Sequence, residues 1–140
     1  MPPTVFPDPD SLLSAGRRDL GATAWVELDQ SVLTDFAAAT WSPAGGDDNV
    51  APPMLLLSLT NRFLPDLLEV RGTSSGLNYG TGPVRFDAPA RAGDRIRASA
   101  LLLQAVEVPG GVQSAVEIRI EVEGSDRPAC TVESLSRWLR

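Results

Sequence analysis

The chain contains no lysine and no histidine; all 12 of its basic residues are arginine. The first absence excludes a Schiff base, and the second excludes an imidazole general base and any Ser-His-Asp triad. Cysteine is almost missing as well. Cys130 stands alone, so no internal disulfide can form, and a zinc site would have to be built on carboxylates and one thiol. Neither a metal nor a cofactor is expected. Basic residues are outnumbered by acidic ones, which leaves a formal net charge of -6. A nucleic-acid partner needs a basic surface and is therefore disfavoured. There is no basic leader and no apolar run of about 18 residues, so neither a signal peptide nor a membrane span is expected, and a cytoplasmic location follows.

What is present is ordinary for a globular domain: 140 residues, 43% hydrophobic and 21% charged. That length can bury a core without disulfides or metal. Residues 1–10, with four prolines, read as an extended arm, and 11–140 as one domain. Asp10 or Ser11 caps a short helix through Arg18, and Ala24 to Leu28 reads as a strand. A second short helix opens at Asp29 or Ser31, with Val32, Leu33, Phe36 and Ala37 at helical spacing. Trp41 to Ala51 is a loop marked by Pro43, Gly45, Gly46, Asp47, Asp48 and Asn49.

Pro52-Pro53 then opens the most apolar segment, running from Met54 to Leu59. Proline suits a first helical turn because its missing N–H is not used there. The segment is apolar nearly all round, as in a buried helix, and ends at Pro65 or continues to Val70. Beyond it lie four strand candidates: Leu77 to Phe86, Arg95 to Glu107, Val112 to Glu123 and Ala129 to Leu139. Val108-Pro109-Gly110-Gly111 is a hairpin turn between two of them. The pattern predicts an α+β protein of the hotdog type, an antiparallel sheet of about five strands wrapped around a long central helix.

Several motifs carry a resemblance to a known family. They are Phe36-Ala37-Ala38-Ala39-Thr40, the helix from Val50 to Leu64, Leu77-Asn78-Tyr79-Gly80 and Val84-Arg85-Phe86-Asp87-Ala88-Pro89. Ala92-Gly93-Asp94-Arg95-Ile96-Arg97-Ala98, Glu121-Val122-Glu123-Gly124 and Pro128-Ala129-Cys130 complete the set. Over about residues 15–140 the chain resembles MaoC-like hotdog proteins, the (R)-specific enoyl thioester hydratases and dehydratases, in their nodulation-protein-N-like branch. The resemblance implies an apolar tunnel, an acyl or polyketide-type thioester ligand and a homodimer.

It also shows what is missing. Family hydratases carry Gly-Asp after the Phe-Ala helix and a histidine shortly beyond, and together Asp and His activate water. Here Thr40 is followed by Trp41-Ser42, and no histidine exists. The hydratases start the central helix with His-Gly, whose glycine N–H donates to the thioester oxygen; these positions read Pro52-Pro53, and proline has no N–H. Losing one such donor costs about 10²–10³ in rate, and losing an acid–base group about 10²–10⁴.

Asp47, Asp48, Asn61 and Tyr79 are the candidate catalytic residues, Asn61 and Tyr79 through the resemblance; a Gly-Gly-Asp-Asp stretch such as that of the two aspartates is more often a solvated turn. Trp41, Met54, Leu57, Asn78 and Arg85 are candidates for lining a ligand site. Arg62, like Arg85, is a candidate for a phosphopantetheine phosphate, against the alternative of a surface ion pair. Three functions fit: a repurposed biosynthetic enzyme, with cyclase or dehydratase-like lyase chemistry as in polyketide biosynthesis; a non-catalytic partner subunit of a hydratase-type hetero-oligomer; or a thioester- or lipid-binding module. The first is favoured, because the tunnel-facing motifs remain while only the hydratase apparatus is gone.

Overall fold

The structure is a computed structural model that describes residues 2–42 and 49–140. Asp47 and Asp48 lie outside the described residues. The elements in chain order are β1 (Thr4–Phe6), β2 (Arg18–Ala22), β3 (Val26–Glu27), α1 (Gln30–Ala39), α2 (Pro53–Phe63), β4 (Leu68–Val70), β5 (Ser75–Arg85), β6 (Arg95–Val108), β7 (Gly111–Val122) and β8 (Cys130–Leu139).

The long strands form one antiparallel sheet in the order β2-β6-β7-β8-β5, with β3 also paired to β6. Period-two alternation sorts its faces. Ile96, Ala98, Ala100 and Leu102 of β6, and Val112, Val116, Ile118 and Ile120 of β7, are buried on one face. Arg97, Glu117, Arg119 and Glu121 alternate with them on the other. The β6–β7 hairpin turns at Pro109-Gly110, where Gly110 takes φ +82°. At Gly111 a Cβ would collide with the Trp138 carbonyl oxygen, so the close approach of β8 there requires glycine.

Helix α2 packs Leu55, Leu56, Thr60 and Phe63 into the inner face of the sheet. Pro53 occupies its first turn, as its fixed φ favours. The helix ends at Phe63 and tightens into a 3₁₀ turn over Leu64–Asp66; it does not continue to Val70, which belongs to β4. Nor is it buried all round: Met54 is 59% exposed, and Ser58, Asn61 and Arg62 face outward.

The N-terminal segment departs most from the sequence reading. Residues 4–6 form β1, paired in parallel with β4. The helix expected through Arg18 is one 3₁₀ turn, Pro9–Leu12, capped by Asp8, whose Oδ1 accepts from the Ser11 N–H at 2.8 Å. Gly16, at φ +66°, turns the chain out of it, and Arg18 already begins β2.

Cys130 is fully buried at the start of β8, and burial pushes its thiol from 9.0 up to about 11. The folded chain holds this proton more tightly than the unfolded one. The contribution is therefore fully present below pH 9 and is lost as pH rises toward about 11. Denaturant titrations should show the native protein losing roughly 2 kcal/mol across that window relative to Cys130→Ala. The folded protein should also resist thiol reagents at pH 8. Equal alkaline slopes in the two proteins would contradict the assignment.

Candidate functional site

Because the sheet covers only one side of α2, the other side borders a groove whose far wall is the edge strand β5. Two depressions lie along it. One, about 260 Å³, lies between Leu57, Ser58, Thr60 and Asn61 of α2 and Asn78, Gly80 and Thr81 of β5, with Val132 and Ser134 of β8 below. The other, about 380 Å³, is more apolar and is bounded by Asn61, Leu64, Leu68, Val70, Gly76, Asn78 and Trp138. Asn61 and Asn78 line both, so they stand where the two depressions meet.

The local structure explains this lining. In β5, Asn78 pairs with Ser136, Thr81 with Ser134 and Val84 with Val132. All three face α2, although each successive pair is separated by an odd number of residues. Two bulges, one at Tyr79 and one between Thr81 and Val84, supply the extra residue each time. The hydroxyls in the groove are not equivalent. Ser58 donates to the Met54 carbonyl at 2.9 Å and Thr60 to the Leu57 carbonyl at 2.7 Å, so both are turned back on the helix. The carboxamides of Asn61 and Asn78 make no hydrogen bond to any described residue. A primary amide offers two donors and an acceptor, so the pair is equipped to hold a carbonyl.

The helix start cannot do the same. Pro52 and Pro53 have no N–H, and the Leu55 amide is bonded to the Pro52 carbonyl at 2.9 Å. Met54 alone keeps an open amide among the first residues of α2.

Of the residues singled out in the sequence, Leu57, Asn61 and Asn78 come together here. Tyr79 contributes to the rim, but its ring stacks on the Arg137 guanidinium at 3.6 Å, and Arg137 bonds Gln113 on the sheet face away from α2. The bulge turns its phenol away from the two amides. Trp41, just past α1, is 92% exposed and lines neither depression; Met54 also lies outside them. Arg85 is exposed beside Asp87 at 3.7 Å, and Arg62 beside Asp66 at 3.6 Å; these are surface pairs. The sequence reading missed Gly76, Ser136 and Trp138. Period-two alternation places Cys130, Val132, Ser134, Ser136 and Trp138 on one face of β8, and that was the available signal.

A further depression of about 280 Å³ surrounds Trp25, Arg97, Arg119 and Arg127. Its guanidinium groups are largely taken: Arg97 bonds Glu121 at 2.6 Å beneath the Trp25 ring, and Arg119 pairs with Glu117 at 3.0 Å. Among the described residues no group of three or more His, Cys, Asp or Glu could hold a metal, and no helix is long and apolar enough to cross a membrane.

No family model matches the chain. It is 32% identical to the 3-hydroxyacyl-thioester dehydratase Z of Mycobacterium tuberculosis, over 96% of this chain and 98% of that protein. It is 30% identical to nodulation protein N of Rhizobium leguminosarum bv. viciae, over 87% and 83% of the two chains. Among solved structures, the MaoC-like dehydratase from Rhodospirillum rubrum superposes with a TM-score of 0.66 at 13% identity, covering 90% of this chain and 93% of that one. The ChsH1-ChsH2 complex from Mycobacterium tuberculosis also gives 0.66, at 17% identity, covering 91% and 100%. A helix laid against a long antiparallel sheet, joined to a likeness that runs the length of dehydratase Z, places this chain in the MaoC-like hotdog family of (R)-specific enoyl thioester hydratases and dehydratases.

Proposed function

We propose that this protein holds an acyl or polyketide-type thioester in the groove between α2 and β5, and that it acts without conventional enoyl-CoA hydration. The observation that carries this reading is the pair of unpartnered carboxamides, Asn61 and Asn78, at the junction of the two depressions. Their amide N–H groups donate to the thioester carbonyl oxygen. The apolar depression takes the acyl chain, and the smaller one leads the pantetheine arm out. Fixing a long chain in one folded conformer favours cyclisation or a facile dehydration, where positioning does more than strong acid–base groups. We assign proton movement to Asp47 and Asp48, which precede α2 in the sequence.

Removing either amide deletes one hydrogen bond to the ligand, worth about 1 kcal/mol. Asn61→Ala and Asn78→Ala should each weaken binding of an acyl-CoA by roughly fivefold while leaving the thermal midpoint within a few degrees. Unchanged affinity in both would refute the clamp.

Water addition to crotonyl-CoA needs a base for the water proton and a donor for the developing enolate oxygen. With no histidine in the chain and no N–H at Pro53, hydration should be undetectable by the loss of enoyl absorbance. Turnover within tenfold of a histidine-bearing hydratase would contradict the proposal.

The outer edge of β5 is unpaired among the described residues; the strand carries the exposed apolar side chains Leu77 and Tyr79, and Phe86 follows just past its end. An open edge of 11 residues invites strand pairing. We assign it to a homodimer that closes the groove into a tunnel. Light scattering at micromolar concentration should give twice the monomer mass. A stable monomer that dimerises only with a histidine-bearing paralogue would instead support the second reading, a non-catalytic subunit. The likeness to a two-component complex favours that reading.

A further inference from the structure

We propose that Trp138 is the end wall of the acyl depression and limits the bound chain to medium length; this rests on the acyl-thioester reading of the groove. The strand register gives the direction. Along β5 and β8 the pairs run from Thr81–Ser134 through Asn78–Ser136 to Gly76–Trp138. Along α2 the lining runs in the same sense, from Leu57 through Asn61 to Leu64. A carbonyl held at Asn61 and Asn78 therefore sends its tail toward the indole.

The ring is fixed from two sides. Its Nε1–H donates at 2.9 Å to the Ser114 hydroxyl, which is itself fully buried in the middle of the sheet. The missing side chain of Gly76 makes its seat, because a Cβ there would come within 3.0 Å of the indole. Swinging the ring aside would strand the buried hydroxyl. Trp138 thus behaves as a rigid stop in a mainly apolar depression flanked by Leu64, Leu68 and Val70, with Glu69 also in its lining. The depression holds about 380 Å³. At roughly 30 Å³ per methylene, the share of one water molecule, it accommodates a tail of about a dozen carbons at most.

The test is calorimetric titration of the whole protein with saturated acyl-CoAs from butyryl to hexadecanoyl. In the native protein, affinity should tighten about fourfold per added methylene and stop improving near the decanoyl or dodecanoyl ester. Trp138→Ala should move that limit to longer chains. Trp138→Phe, which keeps an aromatic ring but loses the bond to Ser114, should move it by one or two carbons and serves if the alanine variant fails to fold. Gly76→Ala, pushing the ring into the cavity, should move it to shorter chains. An unchanged limit in the tryptophan variants, with binding still dependent on Asn61, overturns the wall alone. No binding of any acyl-CoA by the native protein overturns the groove reading, and this inference with it.

Discussion

The face of α2 that carries Leu55, Leu56, Thr60 and Phe63 has to be buried, and the sheet is long enough to cover only that face. Each of the large apolar groups contributes about 1.5–3 kcal/mol on burial, so the helix cannot roll without losing the core. Its orientation then fixes everything else. Leu57 and Asn61 must look the other way, toward β5, and the start of the helix must lie where the chain arrives through Pro52 and Pro53. The groove is a by-product of this one-sided burial, and so is the open sheet edge beside it.

Family likeness and chemistry are recorded in different parts of the chain, for a physical reason. Ancestry is written into burial: the alternation in β6, β7 and β8 and the apolar stripe of α2 specify a hotdog whichever catalytic groups are attached. Activity is written into a few polar atoms that burial does not constrain. A proline pair at the head of α2 costs the helix nothing, since those N–H groups have no partner inside the helix. The same pair removes donors a thioester oxygen would use. The fold can thus persist while its chemistry changes.

The sequence revealed the long elements because their signals are redundant. β6 and β7 alternate over many residues, and α2 announces itself by two prolines and an apolar run. Short elements were legible only in part: β3 and α1 lie where a strand from Ala24 and a helix from Asp29 were expected, but others were not. β1 and β4, three residues each, are strands only because they pair with one another, which no local pattern records. Asn61 and Asn78 were legible through the family resemblance, since no local pattern marks either. Tyr79 was named through the same motif as Asn78, and the bulge that sets it at the rim has no distinct sequence mark. Trp138 was overlooked for the opposite reason: on a strand it looks like ordinary core, and only the register beside Gly76 shows that it closes a cavity.

The two bulges in β5 have a consequence for how this strand tolerates change. In a regular strand, inserting or deleting one residue turns every following side chain to the opposite face. β5 already holds a spare residue at Tyr79 and another between Thr81 and Val84. Excising the first would leave Asn78 and Thr81, and excising the second Thr81 and Val84, in regular alternation against the same β8 partners. The wall of the groove is thus buffered against a change of length that would break the unshifted register of β7 with β8. Its lining can be kept while the outer rim, on the open edge of the sheet, is rewritten.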